Sequence, residues 1–146
     1  MPLNLPGLER RLSKLEQYIA ELRRQQKQSF ETFAADFGVQ LIVERAFQAA
    51  IESCIDTANH VISVYGLKRP EEQRDVFLIL GQAGYFESAY VESMMAMVSF
   101  RNRLVHLYWD IDPKRLYQYL QEDVDLLEQF SDWVLQLIEI ERGDEI

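Results

Sequence analysis

Between Arg101 and Tyr108 the chain reads Arg-Asn-Arg-Leu-Val-His-Leu-Tyr, which packs two guanidiniums, an amide, an imidazole and a phenol into eight residues. A guanidinium is planar, permanently charged and suited to phosphate oxygens. An imidazole titrating near neutrality can take up or give up a proton. Together they suit metal-free phosphodiester chemistry in which a ribose 2′-hydroxyl attacks the adjacent phosphorus. The imidazole of His106 would manage the proton while a guanidinium stabilises the developing negative charge. The need for a 2′-hydroxyl would make RNA, not DNA, the substrate of such chemistry. An arginine and a histidine near a helix end are also commonly a surface cation and a packed histidine, and composition alone leaves that reading open.

Spacing constrains how these groups can meet. A helix advances about 100° per residue, so Arg101 and His106 lie roughly 140° apart on a straight one. Asn102 and Arg103, four and three residues before His106, share its face. Arg101 joins them only if the helix bends or ends in between, or if a second subunit completes the site. Asp112-Pro113 is a helix-start pair, aspartate as cap and proline in the first turn. The chain therefore leaves the preceding helix soon after His106, near a C-terminus where the dipole favours an imidazolium.

The elements that must hold this segment are all helical by pattern. Leu8, Leu12, Leu15, Ile19 and Leu22 recur at three- and four-residue steps and predict a helix from Leu8 to Gln28. A single turn is expected over Phe30–Ala35. A long helix follows from about Val39 to Tyr65 and stops at Gly66, a residue suited to a left-handed cap. Pro70, with Glu71 and Glu72 behind it, predicts the start of a third helix that Gly81 and Gly84 end. A fourth runs from about Glu87 through Met94, Met95 and Met97, which read as core filling. A fifth starts at Asp112 and carries Leu116, Leu120, Leu127, Phe130, Val134 and Leu137 to the acidic tail. No segment alternates as a strand does. The expected fold is all-α, an antiparallel bundle of four to five helices in one domain over residues 1–146.

Bulk composition narrows the partners. Of the 146 residues 48% are hydrophobic, enough for a core, and no stretch approaches the ~18 apolar residues of a membrane span. The first eleven residues lack the apolar core of a signal peptide, so a cytoplasmic location is expected. A net charge of −9 argues against coating nucleic acid with the whole surface. Cations cluster twice, at Arg10, Arg11, Lys14, Arg23, Arg24 and Lys27, and at Arg101, Arg103, Lys114 and Arg115. The first cluster reads as a solvated face. In the second, Lys114 and Arg115 open a helix whose free backbone N–H groups welcome anions, and they are candidate contacts for an RNA backbone, with a plain solvated first turn the equal alternative. His60 reads as a satisfied core or interface histidine that Asp56 can orient, and Cys54 as structural. These residues do not form a metal motif.

Arg101-Asn102-Arg103-Leu104-Val105-His106-Leu107-Tyr108 resembles the Arg-x4-His-x-Tyr signature of HEPN-domain toxins, specifically the HepT-like group. The likeness extends to Ile55-Asp56-Thr57-Ala58-Asn59-His60-Val61-Ile62 and to Asp110-Ile111-Asp112, and covers about Gly38 to Trp133. It implies a HEPN-like helical domain that pairs into a two-fold homodimer and cleaves RNA, with transfer RNA a candidate, using neither metal nor cofactor. It implies Arg101 and His106 as the catalytic pair, supported by Asn102 and Arg103. It also implies a partner, a nucleotidyltransferase antitoxin of the MNT type, that silences the toxin by attaching AMP to Tyr108. One histidine per chain cannot readily serve as base and acid in one turnover, and a two-fold axis would bring two copies of His106 to one cleft. The competing readings are a non-catalytic helical module that docks on a nucleotidyltransferase and presents nucleotide or substrate, and a plain dimeric scaffold.

Overall fold

Short polar side chains set most of the helix starts. In the computed structural model, which describes residues 3–106 and 111–144, Asn4 caps α1 (Leu5–Gln25) by accepting the Gly7 N–H at 3.1 Å. Ser29 caps α2 (Phe30–Ala34) through the Thr32 N–H, and Asp36 caps α3 (Phe37–Val64) through the Val39 N–H at 3.1 Å. Each takes up a donor that the first turn leaves without a partner. After α4 (Asp75–Gln82) and α5 (Ser88–Val105), Asp112 caps α6 (Pro113–Glu122), and α7 (Val124–Asp144) follows.

The long α3 is the axis of the fold. It buries Val43, Phe47, Ala50, Ile51, Cys54, Ala58 and Val61, and α1, α4 and α5 pack around it. A helix apolar over so much of its circumference belongs in the interior. Phe47 meets Phe100 of α5 edge-on, ring centroids 5.4 Å apart, both fully buried. Each such ring contributes about 1.5–3 kcal/mol by leaving water. On the far side α7 lies along α1, with Leu127, Phe130, Val134 and Ile138 turned inward. Cys54 is completely enclosed, and burial pushes its thiol well above the usual range.

Glycine closes two of these helices in one way. Gly66, at φ 65°, lets the Leu67 N–H reach back to the Ile62 carbonyl and its own N–H to Ser63, as expected for the end of α3. Gly84, at φ 92°, does the same for α4 through Tyr85 to Leu80. Gly81, expected to end α4 too, lies inside it and lets Val91 of α5 approach closely.

Seven helices and no strand occur among the described residues, so the class is all-α with more segments than the four to five expected. The first helix starts three residues early because Asn4 supplies the cap. Pro70 does not open a helix. The Glu72 N–H is taken by the Asp75 carboxylate, and the chain enters α4 through tight i→i+3 turns from Glu72 and Gln73. The single helix expected after Asp112 is broken at Asp123, which lets α6 pack on α2 while α7 turns to α1. Among the described residues no helix is long and apolar enough to cross a membrane.

Candidate active site

On α5 the inward stripe runs Met94, Met97, Arg101, Leu104, so a guanidinium occupies a core position. Arg101 is only 8% exposed. It is held from two sides: the Glu52 carboxylate of α3 lies 3.6 Å from Nη1, and Nη2 donates to the side-chain oxygen of Gln73 in the lead-in to α4. Its Nε is buried and finds no acceptor among the described residues. A buried donor without an acceptor costs about 1–3 kcal/mol, and such a group in a native core asks for a reason.

His106 is the C-cap of α5, at φ −99° and ψ 33°, outside helical geometry. Its N–H donates to the Asn102 carbonyl at 3.0 Å, which closes the last turn, and the residue is exposed. The helix therefore ends between the two motif residues, one of the conditions their spacing demanded. Within the chain Arg101 is committed to Glu52 and Gln73, and no hydrogen bond joins it to His106 among the described residues.

Arg103 points away from the core and donates to the Tyr119 hydroxyl at 3.0 Å. The Tyr119 ring stacks on Phe100 at 3.9 Å and 12°, and the Arg115 guanidinium stands 5.9 Å from its centroid. Tyr119 thus ties the motif on α5 to the basic start of α6. Tyr108, the residue expected to accept AMP, lies outside the described residues, as do Leu107, Trp109 and Asp110.

Residues 15–134 match the family described as Ribonuclease HepT-like. The chain belongs to that family. A "tRNA nuclease HepT" from Aphanizomenon flos-aquae is 27% identical over 130 residues, 89% of this chain and 86% of that protein. An "mRNA nuclease HepT" from Shewanella oneidensis is 32% identical over 68% of this chain and 75% of its own length. Among solved structures, a tri-AMPylated Shewanella oneidensis HEPN toxin in complex with an MNT antitoxin superposes with a TM-score of 0.80. It is 26% identical, over 88% of this chain and 96% of that one. A cytosolic Bacillus subtilis protein of unknown function, 20% identical over 97% and 94%, has a TM-score of 0.82 and speaks for the fold alone.

Several side chains of this HepT-like chain behave differently from their sequence reading. The Lys114 N–H, expected to be free for an anion, is bonded to the Asp112 carboxylate at 3.0 Å, which leaves the exposed side chains of Lys114 and Arg115 as the anion-seeking groups. His60, expected to be a satisfied core or interface histidine, is only half-buried, and the bond it makes is to backbone: its Nε2 accepts the Asn4 N–H at 3.1 Å. Burial, and then the charge of Arg11, hold that imidazole below its ordinary titration range. Glu52, Gln73 and Tyr119 went unread. Glu52 carries a signal, a carboxylate directly after the core residue Ile51 in an apolar run, whereas nothing marks Gln73 or Tyr119 in the HepT-like sequence.

Proposed function

We propose that this chain is a metal-independent endoribonuclease toxin, that a nucleotidyltransferase antitoxin of the MNT type is its partner, and that AMP on Tyr108 silences it. The observation that carries the reading is Arg101. It is a guanidinium placed on a core seam at the cost of an orphaned donor, five residues before an exposed histidine at a helix end. Family membership supports the chemistry, and the relatives' names, a tRNA and an mRNA nuclease, support RNA as the substrate class. The complex of an AMPylated HEPN toxin with its antitoxin supports the partner and the modification. The whole of residues 1–146 acts as one HEPN-like domain.

In this mechanism His106 removes the 2′-hydroxyl proton, the 2′-oxygen bonds to phosphorus and the bond to the 5′-oxygen breaks. The products are a 2′,3′-cyclic phosphate and a 5′-hydroxyl, whose proton a second copy of His106 supplies in a two-fold homodimer. Arg101 stabilises the charge that builds on the phosphoryl oxygens. Asn102 holds the last turn through its carbonyl, and Arg103, Lys114 and Arg115 meet the flanking backbone. AMP on Tyr108 brings a phosphate charge that competes with RNA for these cations.

Purified protein freed of AMP should cut RNA in the presence of EDTA, and His106→Ala should lower cleavage roughly 10²- to 10⁴-fold with the fold intact. Absence of cleavage by the wild type would overturn the nuclease reading and favour the non-catalytic docking module. Tyr108→Phe should gain no AMP by intact mass and should escape the antitoxin; continued protection would point to masking by complex formation. A monomer with full activity would remove the two-fold site.

A further inference from the structure

The first basic cluster is not a uniform solvated face. Arg23 is paired with Asp125 at 2.6 Å and with Glu128, and Arg24 with Glu21 at 3.1 Å. Arg10, Arg11 and Lys14 form no ion pair among the described residues, and Arg45 of α3, distant in sequence, joins them without one. These four line a groove of about 310 Å³ between α1 and α3. Arg10 and Lys14 are four apart on one helix face, where like charges repel by a few tenths of a kcal/mol. In a chain of net charge −9, four cations without ion pairs around one groove are a local excess of positive charge that attracts anions.

Two further residues say which ligand. Tyr18 brings a half-buried aromatic ring to the same groove, and basic side chains beside an aromatic are what a single nucleic-acid strand uses, charge for phosphate and ring for base. Glu52 lines the groove as well, and its carboxylate is the one 3.6 Å from Arg101. Glu52 therefore links the groove to the Arg101 guanidinium. Asp56 is the other carboxylate in the lining, so cations outnumber anions there even before Glu52 is assigned to Arg101.

We propose that the groove between α1 and α3 holds the sugar–phosphate backbone of the RNA strand next to the scissile bond, with Arg10, Arg11, Lys14 and Arg45 on its phosphates and Tyr18 under a base. This rests on RNA being the substrate. The strand leaves Arg101 past Glu52, whose carboxylate keeps phosphates from settling at that point and directs them to either side.

The test is equilibrium binding of a labelled single-stranded RNA to the His106→Ala protein, which does not consume it, across a salt series. Each phosphate contact on a single strand contributes about 0.7 to the slope of log K against log salt. The double change Lys14→Gln with Arg45→Gln should lower the slope by roughly 1.4 and weaken binding, while Arg45→Lys keeps the slope. Lys68→Gln, an exposed cation outside the groove, should change neither. An unchanged slope in the double variant, an equal loss in Lys68→Gln, or no salt-dependent binding by the His106→Ala protein overturns the groove. So does a double variant that keeps RNA affinity but no longer binds the antitoxin. Groove-dependent binding by a wild type that cuts no RNA would sink the nuclease reading and leave the groove standing. Cleavage by the wild type with slope-neutral groove variants would do the reverse.

Discussion

Consider the substitution of Arg101 by methionine. Arg101 is 8% exposed, its Nε has no acceptor among the described residues, and its carboxylate partner Glu52 stands 3.6 Å away with its side chain 38% exposed. At that separation the Coulomb attraction is about 1 kcal/mol under full water screening and about 5 kcal/mol at an effective dielectric of 20. The exposure of Glu52 places the real value toward the lower figure, and the hydrogen bond to Gln73 adds about 1.5–3 kcal/mol. Against it stand about 1–3 kcal/mol for the orphaned donor and several more for desolvating the charge. Methionine carries neither penalty, fills much of the space with a flexible apolar chain, and lets Glu52 return to water. Arg101→Met should therefore unfold within about 1 kcal/mol of the wild type, or be more stable, while cleaving no RNA. Glu52→Ala should behave in the opposite sense. It strands the buried charge and should cost roughly 1–3 kcal/mol, and adding Arg101→Met to it should restore most of that loss. Urea unfolding followed by circular dichroism reads all three variants. A loss above about 3 kcal/mol in Arg101→Met alone would show that the guanidinium is a structural strut, and the argument that it is kept for chemistry would fail.

Gly81→Ala should lower stability by about 1–2 kcal/mol despite better helix propensity, because the new Cβ would sit 2.6 Å from the Val91 methyl; a thermal midpoint at or above that of the wild type would mean α5 moves away freely. Asp112→Ala removes the acceptor for the Lys114 N–H and should cost about 1 kcal/mol in chemical denaturation, with Asp112→Asn close to neutral. His60 is held below its ordinary 6.5 in the folded chain, so the unfolded chain binds the proton first. Its contribution to stability is complete above about pH 6.5 and is lost as the pH falls through that value toward the folded one. His60→Gln should flatten this part of a thermal-midpoint-against-pH curve, and an unchanged curve would remove His60 from the account.

Helix class and most ends were legible because they rest on local chemistry. Asp112-Pro113, Gly66 and Gly84 each act through a turn's own backbone groups, and the structure has all three in those roles. The break at Asp123 was not legible because Leu116, Leu120, Val124 and Leu127 are all buried at helical spacing straight through it. Periodicity cannot see a bend that preserves phase; the demand of α2 for one partner and α1 for another decides it. Pro70 misled for a similar reason, since the Asp75 carboxylate competes for the Glu72 N–H and delays α4. That delay puts Gln73 on Arg101. At the site, the motif residues on α5 were readable, and the burial of Arg101 follows from its seven-residue offset from Met94. Its partners come from α3 and the turn before α4, 49 and 28 residues away, and only tertiary packing brings them there.

The enclosed sulfur of Cys54 offers a native stopwatch. With its chain neighbours Ile51, Ile55 and Ala58 likewise shut away, a disulfide reagent can reach it only in molecules whose central rod has come out of its packing. The pace of thiol tagging, followed over hours without denaturant, would then count spontaneous excursions one by one. Comparing that pace in the wild type and in Gly81→Ala would reveal whether crowding α5 loosens the scaffold.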